Sequence, residues 1–94
     1  MLEIRYKGLI IEPTLAATRE LLKYNKDLMD VSEILNEGYV CGTKRKSNII
    51  EKCMRKGDKE FKVVVAKTSI RYPDNYREYV WRLIHFGRVA FKKR

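Results

Sequence analysis

With 94 residues, of which 45% are hydrophobic and 35% charged, the chain can bury one small core. That composition excludes a second domain, a disordered polyelectrolyte and a collagen-like repeat, and leaves a single domain over residues 1–94. The formal net charge of +9 is unevenly spread: residues 1–40 hold 5 basic and 7 acidic side chains, residues 41–94 hold 16 and 5. A half-chain that is basic, aromatic and strand-like offers a surface where Lys and Arg can neutralise phosphates, so nucleic acid is the first partner to consider.

Met1 to Tyr6 alternates apolar and charged residues too soon for a signal peptide. No stretch approaches the roughly 20 apolar residues of a membrane span. A cytoplasmic protein with no membrane association is expected. Cys41 and Cys53 lack a CxxC pairing and the further Cys or His of a zinc site. In a cytoplasmic chain they are expected to be reduced, structural thiols.

Leu2 to Ile11 alternates as a strand or a short hairpin broken at Lys7-Gly8. Glu12-Pro13-Thr14 reads as a helix entry, with Pro in the first turn, where its missing N–H costs nothing. Leu15, Ala16, Thr18, Leu21 and Leu22 then follow helical spacing up to Asn25. A second helix of about two turns is signalled by the capping box Asp30-Val31-Ser32-Glu33, with Met29 stapled onto Ile34 and Gly38 closing the helix in a left-handed conformation. Strands are expected from Tyr39, over Ile49 to Lys56, over Phe61 to Ile70 after a tight turn at Lys56-Gly57-Asp58-Lys59, and over Tyr76 to Phe86 after a turn at Tyr72-Pro73-Asp74-Asn75. The predicted order is β-α-α-β-β-β-β, an α+β fold with two N-terminal helices packed on a mainly antiparallel sheet of four to five strands.

Lys44-Arg45-Lys46-Ser47-Asn48 puts three cations beside Ser and Asn, a set suited to phosphate and sugar oxygens and equally ordinary for a solvated turn. Glu51 is the only acid between Gly38 and Asp58 and has Lys44, Arg45, Lys46, Lys52 and Arg55 nearby in sequence. It either pairs with one of them or serves as general base beside phosphate-binding cations, as transphosphorylation by a ribose 2′-OH requires. His85, the sole histidine, is the one imidazole acid or base available, or else a satisfied core histidine. On a regular strand it shares a face with Tyr79, Trp81 and Leu83, opposite Arg82.

Tyr72, Tyr76, Tyr79 and Trp81 interleave with Arg71, Arg77, Arg82 and Arg88. Such rings and guanidinium groups suit base stacking and phosphate contact on single-stranded RNA, and the rings suit a small core as well. Candidate nucleic-acid contacts are therefore Lys44, Arg45, Lys46, Asn48, Arg55, Arg71, Tyr79 and Trp81; candidate catalytic groups are Glu51, Arg82 and His85. Nothing in the pattern points to a metal or an organic cofactor: a glycine-rich phosphate loop, an HExxH motif and an acid cluster for two magnesium ions are all lacking.

The run Val31 to Gly38, Lys44 to Asn48, Glu51-Lys52 and Phe61 to Val65 resemble the domain of unknown function 4258 family over roughly residues 12 to 88. That family in turn resembles the RelE and ParE toxin superfamily. The resemblance implies a RelE-like fold of two helices with an antiparallel sheet, and roles for Arg45, Glu51, Arg82 and His85 as polar groups on or beside that sheet. It further implies RNA or the ribosome as target, metal-independent endoribonuclease activity and an acidic antitoxin protein as partner. Where the family commonly has a His or Arg at the first helix, this chain has Thr14-Leu15-Ala16-Ala17. The function expected is an RNA-binding, RelE-type domain that cleaves RNA without metal; a non-catalytic nucleic-acid-binding or protein-interaction module is the alternative.

Overall fold

Residues 4–42 and 48–89 are described by the computed structural model of the chain. The N-terminal alternation forms a hairpin, with β1 over Arg5–Tyr6 and β2 over Leu9–Pro13. Lys7 and Gly8, both at positive φ, make its two-residue turn. Pro13 ends β2 instead of opening a helix, and Thr14 caps α1, Leu15–Lys23, its hydroxyl accepting from the Ala17 N–H at 3.1 Å. Ala17 and Leu21 are the buried residues of α1, whereas Leu15 and Leu22, counted on its apolar face from spacing, are exposed. α2 runs over Leu28–Glu37, three residues earlier than Asp30-Val31-Ser32-Glu33 suggests. Its capping box is reciprocal between Asp27 and Asp30, and Met29 is exposed. Gly38 is extended rather than left-handed; what it supplies is room, since a Cβ there would strike the carbonyl oxygens of Cys53 and Ile34.

β3 (Tyr39–Val40), β4 (Ile49–Lys56), β5 (Lys59–Arg71) and β6 (Arg77–Val89) follow as an antiparallel meander. β6 then receives β2 in parallel on its other edge, giving the order β1-β2-β6-β5-β4-β3. The expectation of two helices packed on a four- to five-stranded RelE-like sheet is thereby corrected. The element order is β-β-α-α-β-β-β-β, the sheet is mixed and six-stranded, and it curls into a half-barrel. Strand accounts for 53% of the described residues and helix for 23%. The physical reason lies at the chain's start: the Lys7-Gly8 turn makes two strands where a β-α-α order allowed one, and the second of them pairs with β6.

The inner face of the sheet carries Phe61, Val63, Val65, Trp81, Leu83 and Phe86, packed on Ala17, Leu21, Val31, Ile34 and Leu35 of the helices. Alternation breaks once in β6: Val64 pairs with His85 but Val65 with Leu83, so Ile84 is an extra, bulged residue. Beyond the bulge every side chain of β6 changes face. Cys41 and Cys53 are joined in a disulfide that ties the chain after β3 to β4, which corrects the expectation of reduced thiols; register places β3 beside β4, with Tyr39 opposite Cys53.

Candidate nucleic-acid interface

Because of the bulge, His85 lies on the outer face of the sheet with Arg82, and not with Trp81 and Leu83 as strict alternation predicts. Glu51 pairs with Val64 and Val64 with His85, so the carboxylate and the imidazole stand in one cross-strand row. Two strand spacings separate their backbones by roughly 10 Å. Arg82 and Lys62 occupy the neighbouring rows on the same face. The three residues chosen as catalytic thus surround Val64 on one surface.

Each of them already has a setting. Lys62 Nζ lies 3.6 Å from Glu51 Oε1, and the Glu51 carboxylate rests against Gly42, where any side chain would collide with it. Arg82 Nη2 donates to Glu12 Oε1 at 2.8 Å across the parallel β2–β6 pair, while its Nε is buried without a hydrogen-bond partner among the described residues. His85 is exposed and lies over Gly87, beside a cleft of about 320 Å³ that Ala16 and Glu20 of α1 also line. The arrangement offers an acceptor, an imidazole and two cations at the corners of a shallow patch. Among the described residues no three His, Cys, Asp or Glu side chains gather as metal ligands.

A second surface lies at the far end of the two longest strands. Past Ala66 and Trp81 the register pairs β5 and β6 only with each other, as a two-stranded ribbon from Thr68 and Val80 to Arg71 and Arg77. Arg71 and Arg77 face each other directly, with Ser69 and Tyr79 as the next pair on that side. Like charges in opposed positions repel, and neither guanidinium makes an ion pair among the described residues. Tyr79 is 50% exposed, and Lys67 Nζ stands 5.6 Å from its ring centroid. At the tip the Tyr72 and Tyr76 rings are 5.7 Å apart, and the Glu78 carboxylate, accepting the Tyr72 O–H at 3.0 Å, raises that phenol's pKa.

The remaining sequence candidates disperse. Trp81 is only 7% exposed and packs on Tyr6 with ring centroids 5.8 Å apart, so it is a core residue and no stacking platform. Arg55 lies toward the opposite end of β4, its Nε donating to the Gly57 carbonyl. Asn48 is exposed at the base of the ribbon, where its carbonyl accepts the Lys67 N–H at 2.7 Å. Lys44, Arg45 and Lys46 lie outside the described residues. Reading the sequence missed Lys67, Lys62 and Glu12, which only strand register brings to Tyr79, Glu51 and Arg82.

No helix among the described residues is long and apolar enough to cross a membrane. Comparison with family models, with curated proteins and with solved structures finds no match, and nothing in it identifies the domain of unknown function 4258 or the RelE/ParE superfamily.

Proposed function

We propose that the chain is an RNA-binding domain that grips single-stranded RNA with the β5–β6 ribbon. The observation that carries this reading is the opposed pair Arg71 and Arg77: two arginines at directly facing strand positions, neither in an ion pair among the described residues, have a natural ligand in a phosphodiester, which each can take in bidentate fashion. Tyr79 beside Lys67 supplies a ring for a base next to that phosphate contact. The positive surplus of residues 41–94 draws a polyanion toward it. The test is fluorescence anisotropy with labelled single-stranded RNA and duplex DNA at two salt concentrations, repeated with Arg71→Ala/Arg77→Ala. Binding that weakens with salt, prefers RNA and shows a smaller salt slope in the variant is expected. Isotherms unaffected by salt, or by loss of both arginines, sink the proposal.

A second reading, cleavage without metal, is favoured by the row of Glu51 and His85 on either side of Val64. A 2′-OH attacking its own phosphate needs a base on one side and an acid at the leaving 5′-oxygen on the other. Lys62 and Arg82 would offset the charge that accumulates on the phosphoryl oxygens. By register this patch is on the opposite face of β5 and β6 from the ribbon cations. Binding and cleavage are therefore separable by mutation.

A further inference from the structure

At the end of β5 remote from the ribbon, four stretches of chain meet around an open cleft of about 460 Å³. The end of α1 contributes Lys23 and Tyr24, the link to α2 contributes Lys26, the β4–β5 turn contributes Lys59, and β6 contributes Arg88. Lys56 also borders the cleft, but Glu33 and Asp30 compensate its charge. Asp58 is the one carboxylate on the lining among the described residues. Among the described residues Lys23, Lys26, Lys59 and Arg88 form no ion pair. The floor is aromatic: Tyr24 and Phe61 meet edge to face with centroids 5.8 Å apart, Lys23 Nζ stands 5.6 Å from the Tyr24 ring and Lys26 Nζ 5.2 Å from the Phe61 ring.

Lysines at a helix end and in a tight turn are ordinary on a surface, and Lys23 complements the carbonyl end of α1. What is not ordinary is their convergence. Residues from 23 to 88 bring four cations, none of them in an ion pair among the described residues, around one concavity with the Tyr24 ring on its wall, and the volume is that of a small-ligand site. Mutual repulsion of those cations is relieved by a group carrying more than one negative charge, and the half-buried Tyr24 ring provides an apolar wall beside it.

We infer that this cleft binds a nucleoside phosphate, with a terminal phosphate among Lys23, Lys59 and Arg88 and the base against Tyr24. Such a group occurs both in a free mononucleotide and at the phosphorylated end of a strand. The inference does not depend on RNA binding by the ribbon.

The experiment is an amide NMR titration of the whole chain with AMP and with adenosine, followed by competition of AMP against 5′-phosphorylated and 5′-hydroxyl RNA of one sequence. Saturable shifts at Tyr24, Lys59 and Arg88 with AMP, small or absent with adenosine, are expected. In Lys59→Gln/Arg88→Gln, whose two sites are exposed and whose thermal unfolding reports folding, AMP should bind at least about tenfold more weakly. A phosphorylated strand that binds this site more tightly than AMP assigns it to a strand end; equal or weaker binding assigns it to the free nucleotide. Both support a terminal-phosphate site. Absence of saturable shifts with AMP, equal shifts with adenosine, or unchanged AMP binding in the double variant overturns it. Arg71→Ala/Arg77→Ala should leave the AMP titration unchanged, so failure of the ribbon and failure of the cleft are distinguishable.

Discussion

His85 and Arg82 are three residues apart on β6 and yet share one face of the sheet. On an unbroken strand an odd spacing would set them on opposite sides. Ile84 absorbs the difference, and with it Glu51, Val64 and His85 come into a single row. The bulge therefore decides whether the imidazole is buried among the helices or open to a ligand.

If that row cleaves RNA, Glu51→Gln and His85→Ala should each lower the rate in EDTA by about 10²–10⁴, the range for loss of a positioned acid or base. His85 is exposed, so His85→Ala should leave the unfolding temperature nearly unchanged. Labelled RNA on a denaturing gel, run beside a thermal melt, checks both. No cleavage by the unmodified chain, or cleavage by both variants at the unmodified chain's rate, removes the catalytic reading.

Tyr79 and Trp81, two residues apart on β6, should respond in opposite ways. Tyr79→Ala is expected to cost about 1–3 kcal/mol of RNA affinity with little change in stability, as for loss of one stacked base. Trp81→Ala removes a buried ring from the contact with Tyr6 and should cost about 3–5 kcal/mol of folding free energy. For a domain of this size that is a fall in melting temperature of roughly 12 °C or more. Anisotropy and calorimetry on the two variants separate the roles.

Acid should loosen the start of α2. Partial burial raises the Asp30 pKa, but the Asp27 N–H it accepts, with Lys26 and Lys56 nearby, outweighs that and holds the group below the usual carboxylate range. A depressed folded pKa means stability that is fully present above the unfolded value and is lost as pH falls through the folded one. Melting temperature should therefore be insensitive to Asp30 near neutrality and decline below about pH 4, with a shallower decline in Asp30→Asn. An identical acid limb in the variant would show that the box carries none of the dependence.

Reduction of Cys41–Cys53 should destabilise without unfolding. The bridge closes a loop with a sequence separation of 12, for which loop entropy gives about 2–3 kcal/mol. The urea midpoint with and without dithiothreitol measures it, and mass spectrometry under non-reducing conditions should count no free thiol.

Local signals were the legible ones. The Lys7-Gly8 break, β4 from Ile49 to Lys56 and the turn at Gly57-Asp58 follow from propensity and alternation within a few residues. Errors arose where a distant contact or one inserted residue governs. The reciprocal box forms between Asp27 and Asp30 and not between Asp30 and Glu33, whose carboxylate pairs with Lys56 of β4. The face of His85 depends on Ile84, and a bulge leaves no mark in composition. Parallel pairing of Ile11 with Trp81 joins segments 70 residues apart, which no local window samples. The pairing of Cys41 with Cys53 likewise needed the register of β3 against β4.

The place of β6 between β2 and β5 has a kinetic consequence. The β4–β5–β6 meander can assemble from neighbouring turns and offers α2 a surface on β4 and β5, but β2 and α1 pack on β6 and must wait until residues near 81–86 are in position. Closure of the N-terminal segment onto a strand seventy residues later is an event of high sequence separation and should limit the folding rate. Substitutions in the β2–β6 seam, such as Ile11→Val, would then slow refolding, while changes confined to the ribbon would not.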